Sequence, residues 1–344
     1  MYHGGAIGAS PIAAILQTQQ PLAFVLRCRA STMNKKSLPL VIVNPAAGGG
    51  RGAQDWGRAV ATGRTHLGPF NCTFTDGPGD ATGIAEREAR AGRTFLIAFG
   101  GDGTISEIAQ GILRAEADTE LGVLPHGTGS DFVRTLEIPS RPSDAARCLR
   151  EGRTLWMDAG KVSYAGLDGE TQSRFFINSA SFGLSGKVTE NTNRSSKSLG
   201  GMLSFASTTV KTAFEYDPPH VFIEVDDEPA RRLPITTVTF NNGRFFGGGM
   251  KMAPEAHLAD GKLDMVVVRK LPFHRLVTQG PRLYAGAHLG LPEVHYRQAR
   301  SIKAWPVDSK VRVSIEVDGE SPGALPASFE VCPKALRVRV PAKN

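Results

Sequence analysis

Ala98-Phe99-Gly100-Gly101-Asp102-Gly103-Thr104-Ile105-Ser106-Glu107 decides how the rest of this 344-residue chain is read. The apolar run Phe95 to Phe99 predicts a buried strand, and Ile105 to Leu113 predicts a helix. A glycine turn from strand into helix aims free backbone N–H groups and the positive end of the helix dipole into one concavity. That concavity is a seat for phosphate.

Outward from this stretch, apolar strands alternate with helical segments. Strands are expected at Leu38 to Val43, Asn71 to Thr75 and Leu121 to Leu124, and helices at Gln54 to Thr62 and Ala81 to Ala91. This βαβα order argues a doubly wound α/β domain over about 38–150, with ligand loops at the strand ends. Two more strands run into glycine-rich loops: Asn44-Pro45-Ala46-Ala47-Gly48-Gly49-Gly50-Arg51-Gly52 and Pro125-His126-Gly127-Thr128-Gly129-Ser130-Asp131-Phe132. One glycine loop is an ordinary turn. Three on the same edge of one parallel sheet suit a nucleotide polyphosphate, which backbone approaches closely where no side chain intervenes. No G-x-x-x-x-G-K-[ST] occurs, and the first loop places Ala53 where a G-x-G-x-x-G fingerprint needs its last glycine. A dinucleotide oxidoreductase is therefore a weak reading.

From Thr154 the pattern turns to strands: Phe175 to Ser181, Val221 to Asp226, Ile235 to Asn241, Leu263 to Val268 and Val311 to Val317, with one helical segment near Leu203 to Phe214. Strands without regular helical crossovers suggest an antiparallel sheet or sandwich over 151–319. Asn191 to Ser198, with Arg194 and Lys197, is expected to be a mobile basic loop: a solvated linker, or a flap facing membrane or substrate. Two stretches here carry chemistry. Within Gly247 to Asp264, the Asp260-Gly261 turn is either a hairpin corner or a fair oxygen site for Mg²⁺. Val317-Asp318-Gly319-Glu320 ends an alternating strand and shows two carboxylates on a glycine corner, which by itself reads as a turn first and a site second. Gly319-Glu320-Ser321-Pro322-Gly323 matches G-x-S-x-G, but Pro322, Gly323 and Pro326 forbid the helix a nucleophile elbow needs.

The totals bound the rest. The length suits two domains. Four cysteines scattered singly argue against a disulfide framework or metal cluster and favour a reducing, cytoplasmic setting. Of the net charge of +7, residues 1–37 supply +4, so the remainder is too mild for nucleic acid and compatible with an anionic membrane surface. The first 37 residues are expected to be a disordered extension or a misplaced start, Met33 being a plausible true one. The longest apolar candidate for a membrane span, Ile12 to Leu26, is broken by Gln17, Gln19, Gln20 and Pro21.

In order, these motifs resemble the diacylglycerol kinase-type lipid kinases, in the bacterial branch related to sphingosine and ceramide kinases. The resemblance runs from about Leu38 to Pro341 through five elements: Asn44-Pro45 with its glycine run, Gly100 to Thr104, Pro125 to Phe132, Gly247 to Asp264, and Asp318-Gly319-Glu320. It implies an N-terminal doubly wound α/β domain holding ATP, like that of NAD kinases, a C-terminal β-sandwich contributing to the lipid site, and a last segment (320–344) returning to the first domain. By the same resemblance Asn44, Gly48, Gly49, Gly100, Gly101, Asp102, Gly103, Thr104, Ile105, Ser106, Gly127, Thr128 and Gly129 would line ATP. Asp260 would hold Mg²⁺ beside the main-chain oxygens of His257 and Lys262. Glu320 would take the proton of the acceptor hydroxyl, supported by Asp318, with Asp102 at the phosphates. Ser130 stands where the family commonly has Asn.

The implied activity is an ATP- and Mg²⁺-dependent lipid kinase acting on diacylglycerol or a similar lipid, peripheral at the membrane surface and open to homodimerisation. An NAD kinase-like enzyme shares the first domain, but the Gly247 to Asp264 segment and the Asp-Gly-Glu corner speak against it. A non-catalytic protein of the same fold would have no need of Asp102, Asp260, Asp318 and Glu320 together. The identity of the lipid is not written in the apolar positions of the second domain.

Overall fold

Runs that are apolar at every position must be covered on both faces, and that is where the first strands lie. In the computed structural model, which describes residues 38–342 except 128, 167–168 and 195–200 and, within those limits, omits the side chains of 193–194 and 201–207, β1 (Leu40–Val43) is buried throughout. β2 (Asn71–Phe74), β3 (Phe95–Gly100) and β4 (Glu120–Pro125) lie parallel to it in the order β2-β1-β3-β4. A helical turn α1 (Ala47–Gly50) and α2 (Gly52–Leu67) follow β1, and α3 (Asp80–Arg90), α4 (Asp102–Ala115), α5 (Asp131–Thr135) and α6 (Pro142–Glu151) follow later strands. The crossover through α2 steps to one side of β1, and those through α3 and α4 step to the other. Right-handed crossovers therefore place α2 on the face opposite α3 and α4. α6 packs on α2, and α4 packs so closely on α3 that a Cβ on Gly111 would lie 2.4 Å from the Thr82 carbonyl oxygen.

The second lobe is antiparallel. Its strands are β5 (Arg153–Gly166), β6 (Thr171–Phe176), β7 (Ser179–Gly183), β8 (His220–Val225), β9 (Arg231–Asn241), β10 (Leu263–Arg269), β11 (Val294–Ala299), β12 (Ser301–Pro306), β13 (Ile315–Val317) and β14 (Gly323–Val340), with helices α7 (Leu184–Arg194), α8 (Gly201–Glu215) and α9 (Phe273–Ala285). Phe182, Phe240 and Phe329 meet at its centre, with ring centroids 4.2–6.1 Å apart. The fold is thus an α/β domain joined to a β-sandwich. Two long strands run through both: β5 and β14 pair over Arg153–Met157 with Leu336–Val340 beside the first lobe, and over Ala159–Gly166 with Gly323–Cys332 in the second. The end of β14 adds to the parallel sheet through Arg337↔Glu120 and Val338↔Leu121. The change of lobe therefore falls inside these strands, near Asp158 and the irregularity between Cys332 and Leu336, rather than at 150/151 or 319/320.

Four sequence expectations need correction. The strand expected over Phe175 to Ser181 is broken at Ile177 and Asn178, because their N–H groups turn to the Asp318 carboxylate. Only Ile315–Val317 of the strand expected from Val311 forms, since Asp308 closes a turn on Lys310 and Val311. Among the described residues, three helices interrupt the sandwich strands where one was expected. Asn191 to Arg194 of the expected loop belong to α7, and the Asn191 amide bonds Thr212 on α8 at 3.0 Å. The rest of that loop, Thr128 and the first 37 residues lie outside the described residues.

Candidate active site

The turn at Gly100-Gly101 leads from β3 into α4, as the sequence predicts. Gly101 precedes α4 in extended conformation, with no side-chain cap on the helix, so the first N–H groups of α4 face outward. A Cβ on Gly100 would lie 2.5 Å from Thr104 Oγ1, and one on Gly127 would lie 2.5 Å from the Gly101 Cα. The second and third glycine loops therefore touch backbone to backbone, which only glycine permits. Asn44 joins the first loop to the same turn: its Nδ2 donates to Thr104 Oγ1 at 2.9 Å and its Oδ1 accepts from the Ala46 N–H at 2.9 Å. Gly48 lies against the His126 ring. Gly49 and Gly103 border open space, and Gly129 lies beside Asp102, where a Cβ would be 2.8 Å from Oδ2. Ile105 is fully buried in the core and offers the seat only its backbone.

Asp102 begins α4 and accepts hydrogen bonds from the N–H groups of Asp131 (3.1 Å) and Phe132 (3.2 Å). Asp131 in turn accepts from Arg134 Nη1 at 3.0 Å and the Gly248 N–H at 2.7 Å. Gly247, Gly248 and Gly249 all have left-handed φ (61°, 89° and 105°), the conformation that lets the second lobe reach over to Asp131. Burial pushes the Asp102 carboxyl above its ordinary range, and the neighbouring Asp131 adds to the effect. Burial pushes Asp131 up as well, against the pull of the Gly248 N–H and Arg134. Each of the four Asp102 and Asp131 carboxylate oxygens accepts one hydrogen bond and keeps a lone pair, a donor set that a hard divalent cation fits when it is held by one or two carboxylates and phosphates. Ser130 sits at φ 57°, a left-handed position that Asn tolerates better than Ser.

The Asp318-Gly319 corner is a two-residue hairpin. Val317 and Glu320 exchange backbone hydrogen bonds of 2.8 and 3.1 Å, and both central residues have positive φ (46° and 88°), the geometry for which Asp-Gly is the preferred pair. The corner is therefore a tight hairpin turn that holds both carboxylates. Asp318 accepts from Ser106 Oγ at 2.8 Å and from the N–H groups of Ile177, Asn178 and Ser179 at 3.0, 3.1 and 3.0 Å. Burial pushes its carboxyl up while those four donors hold it back. With its lone pairs so engaged, Asp318 ties α4 to the sandwich and is a positioning residue. The same bond commits the Ser106 hydroxyl to Asp318 rather than to a nucleotide. Glu320 points outward with its side chain 48% exposed, and pairs with Arg174 Nη1 at 2.5 Å. The Arg174 side chain is only 16% exposed and its Nε is buried without a hydrogen-bond partner. Burial opposes its charge, and the Glu320 carboxylate more than offsets that.

Beneath the corner, buried Glu316 accepts from the Gly319 N–H at 2.6 Å and from Ser181 Oγ at 2.5 Å. Burial pushes its carboxyl up to about 7, with Asp318 adding to the shift and Arg174 opposing it. The unfolded chain loses this proton near the ordinary value of 4.5, so between about 4.5 and 7 the folded state binds more protons and stability falls as pH rises. Glu316→Gln is always neutral and keeps an acceptor for Gly319. Relative to wild type, the variant is expected to gain a few kcal/mol between those limits and then stay level, measured as the difference in urea unfolding free energy against pH. A pH-independent difference would place the titration elsewhere.

Asp260 belongs to a different neighbourhood. Its Oδ1 accepts from the Lys262 N–H at 3.1 Å and its Oδ2 from Gln298 Nε2 at 3.0 Å, and it is exposed. No hydrogen bond links it to Asp102, Asp318 or Glu320 among the described residues. Its loop is pinned by buried Asp158 on β5, whose oxygens accept from the Gly261 and Lys334 N–H groups at 2.7 Å each. No cluster of three His, Cys, Asp or Glu with metal-holding geometry exists among the described residues. The Asp260 turn, with the main-chain oxygens of His257 and Lys262, offers oxygen only and one charge, a fit for a hard, largely hydrated cation that braces the loop.

The structure thus brings Asn44, Gly48, Gly100, Gly101, Asp102, Thr104, Gly127 and Gly129 together, connects the corner to them through Ser106, and among the described residues gives Asp260, His257 and Lys262 no direct hydrogen bond to them. Sequence reasoning missed Asp158, Arg174 and Glu316, and quoted Asp131 only within its loop motif, without a role. Asp158, a carboxylate within the otherwise uncharged run Leu155 to Gly160, was the one legible signal, since charge is rarely buried without partners. Arg174 carried none.

Two family models match the chain: residues 39–162 fit the diacylglycerol kinase catalytic domain, and residues 178–340 fit the YegS C-terminal NAD kinase beta sandwich-like domain. The "Diacylglycerol kinase" of Staphylococcus saprophyticus is 32% identical over 256 residues, covering 74% of this chain and 79% of that one. The "Probable lipid kinase YegS-like" of Pseudomonas aeruginosa is 31% identical over 264 residues, covering 77% and 82%. A crystal structure of a diacylglycerol kinase from Bacillus anthracis shares the fold with a TM-score of 0.66 at 23% identity, covering 88% of this chain and 97% of that one.

Proposed function

Because this chain belongs to the diacylglycerol kinase catalytic-domain family and is a kinase, we propose that it transfers the γ-phosphate of ATP to a hydroxyl of diacylglycerol or a similar lipid. The observation that carries the reading is the Ser106–Asp318 hydrogen bond. Ser106 lies about one helical turn beyond Asp102 on α4, so this bond sets the Glu320 corner roughly 6 Å along the helix from the phosphate seat.

Each group then has one task. The N–H groups opening α4, with Asn44 and Thr104, cradle the phosphates at the positive helix end. Asp102 and Asp131 would hold Mg²⁺, which when bound neutralises charge on the phosphates. Glu320 accepts the lipid hydroxyl's proton as the new P–O bond forms and the bond to ADP breaks. The transition state of such transfers is loose and the proton leaves late, so a well-placed carboxylate suffices and positioning supplies most of the rate. Arg174 keeps the Glu320 carboxylate aimed, and Asp318 keeps the whole corner against α4.

Radiolabelled ATP offered with Mg²⁺, extracted lipids and NAD tests the reading, with mass-spectrometric identification of the labelled product. Label is expected on a lipid bearing a free hydroxyl. Label on NAD alone would replace the lipid acceptor with a dinucleotide.

A further inference from the structure

The site described above uses neither α8 nor the outer side of α9, yet both helices expose large apolar side chains. Val210 and Phe214 on α8 are 56% and 73% exposed, and Val277 and Tyr284 on α9 are each 56% exposed. The Phe214 ring meets Phe273 edge-on at 5.3 Å, which joins the two helices into one patch. On α9 the exposed positions His274, Val277, Thr278, Pro281 and Tyr284 recur at helical spacing and form one outward stripe. The inner side of α9 is already used: Leu276 and Leu283 pack on the cluster of Met252, Val266 and Val268, and the Leu283 carbonyl accepts from the Lys251 N–H at 2.8 Å. The fold therefore does not need the outer stripe.

Charge selects what covers it. α9 contains no Asp or Glu, while Arg282 is exposed on it, Arg269 and Lys270 are exposed just before it, and Lys211 is exposed beside Phe214. Glu215 at the end of α8 and Asp217 two residues beyond it are the exposed acids on the same stretch, so these four cations face two acids. A second copy of the chain would bring like charges face to face across a two-fold axis. An apolar patch with more cations than acids along its helices instead matches an anionic lipid surface, where apolar side chains enter the headgroup boundary and Lys or Arg meets the phosphates.

The patch is also coupled to the catalytic corner. α8 is tied to α7 through Asn191 and Thr212, and Glu190 on α7 accepts from Ser314 Oγ at 2.7 Å, one residue before β13. We propose that the α8–α9 face docks this enzyme on an anionic bilayer and thereby presents the Glu320 corner to lipids in that bilayer, an inference that rests on the lipid-kinase reading.

Sedimentation of the full chain with phosphatidylcholine vesicles, alone or mixed with phosphatidylglycerol and free of diacylglycerol, tests it without turnover. The protein is expected to pellet with the mixed vesicles, and to be released by high salt. Phe214→Glu with Val277→Glu is expected to weaken partitioning at least about tenfold, since each side chain loses apolar transfer energy. Both positions are exposed, and a thermal melt checks that the variant folds. The same variant should phosphorylate a dispersed short-chain diacylglycerol at the wild-type rate while losing activity on vesicles. Equal pelleting of wild type and variant overturns the docking face. So does a variant that changes oligomeric state and leaves vesicle binding intact. Absence of lipid phosphorylation with vesicle binding retained would instead overturn the lipid-kinase reading.

Discussion

Glu320→Gln is expected to lower kcat by about a thousandfold, the scale of a lost general base, with the KM for ATP changed by less than about threefold. The substitution is close to isosteric, and the carbonyl oxygen of the new amide still accepts from Arg174, so the 2.5 Å contact survives in outline. What disappears is the capacity to accept a proton. Among the described residues no hydrogen bond links Glu320 to the groups around Gly100 and Gly101, so ATP affinity should hold. Steady-state kinetics with the lipid and nucleotide varied separately reads both quantities. Turnover within tenfold of wild type would mean that another group, or water, takes the proton. Arg174→Gln provides the complement: the base is intact but no longer aimed, so the fall should be smaller and accompanied by a change in lipid KM.

Asp102→Asn is expected to be comparably severe, by a different route. The Asp102 carboxylate accepts from Asp131 on one oxygen and Phe132 on the other. An amide can accept on one side only, and its NH₂ would face an N–H donor on the other. One of two negative charges beside the phosphate seat is lost as well. Loss of kcat/KM by at least about a thousandfold is expected, since charge stabilisation at a transferring phosphoryl group is the main catalytic resource. The informative readout is the Mg²⁺ activation curve, whose midpoint should rise at least about tenfold. An unchanged midpoint would remove Asp102 from the metal's ligands. Asp260→Asn separates the two candidate cation positions: it should lower thermal stability and leave the Mg²⁺ midpoint of turnover unmoved.

Much of this was legible in the sequence because it rests on local rules. A continuous apolar run such as Phe95 to Phe99 has no face to show to water, and Gly100-Gly101 has no other use than a tight turn or a close approach. The Asp318-Gly319 pair specified its own hairpin. Local rules also misled where a distant partner intervened. The run Phe175 to Ser181 has every mark of one strand, yet Asp318 claims three of its N–H groups from about 140 positions away. α9, with Gly280 and Pro281 inside it, is a poor helix by propensity and is held by packing on Met252 and Val266. Arg174 is one polar side chain among several on β6, and only the fold sets it against Glu320.

By itself the sequence determined the parallel sheet, the glycine loops at its edge and the ordered motifs that place the chain in its family, because strand burial and turn geometry are set by nearest neighbours. The tertiary structure alone decided which carboxylates belong together. It bonded Asp260 to Gln298 rather than to the residues around Gly100, linked Asp102 to the Asp131 N–H through the turn that follows β4, and made Asp318 a tether for Ser106. It did so because β5 and β14 thread both lobes, and their register fixes where residues from opposite ends of the chain meet.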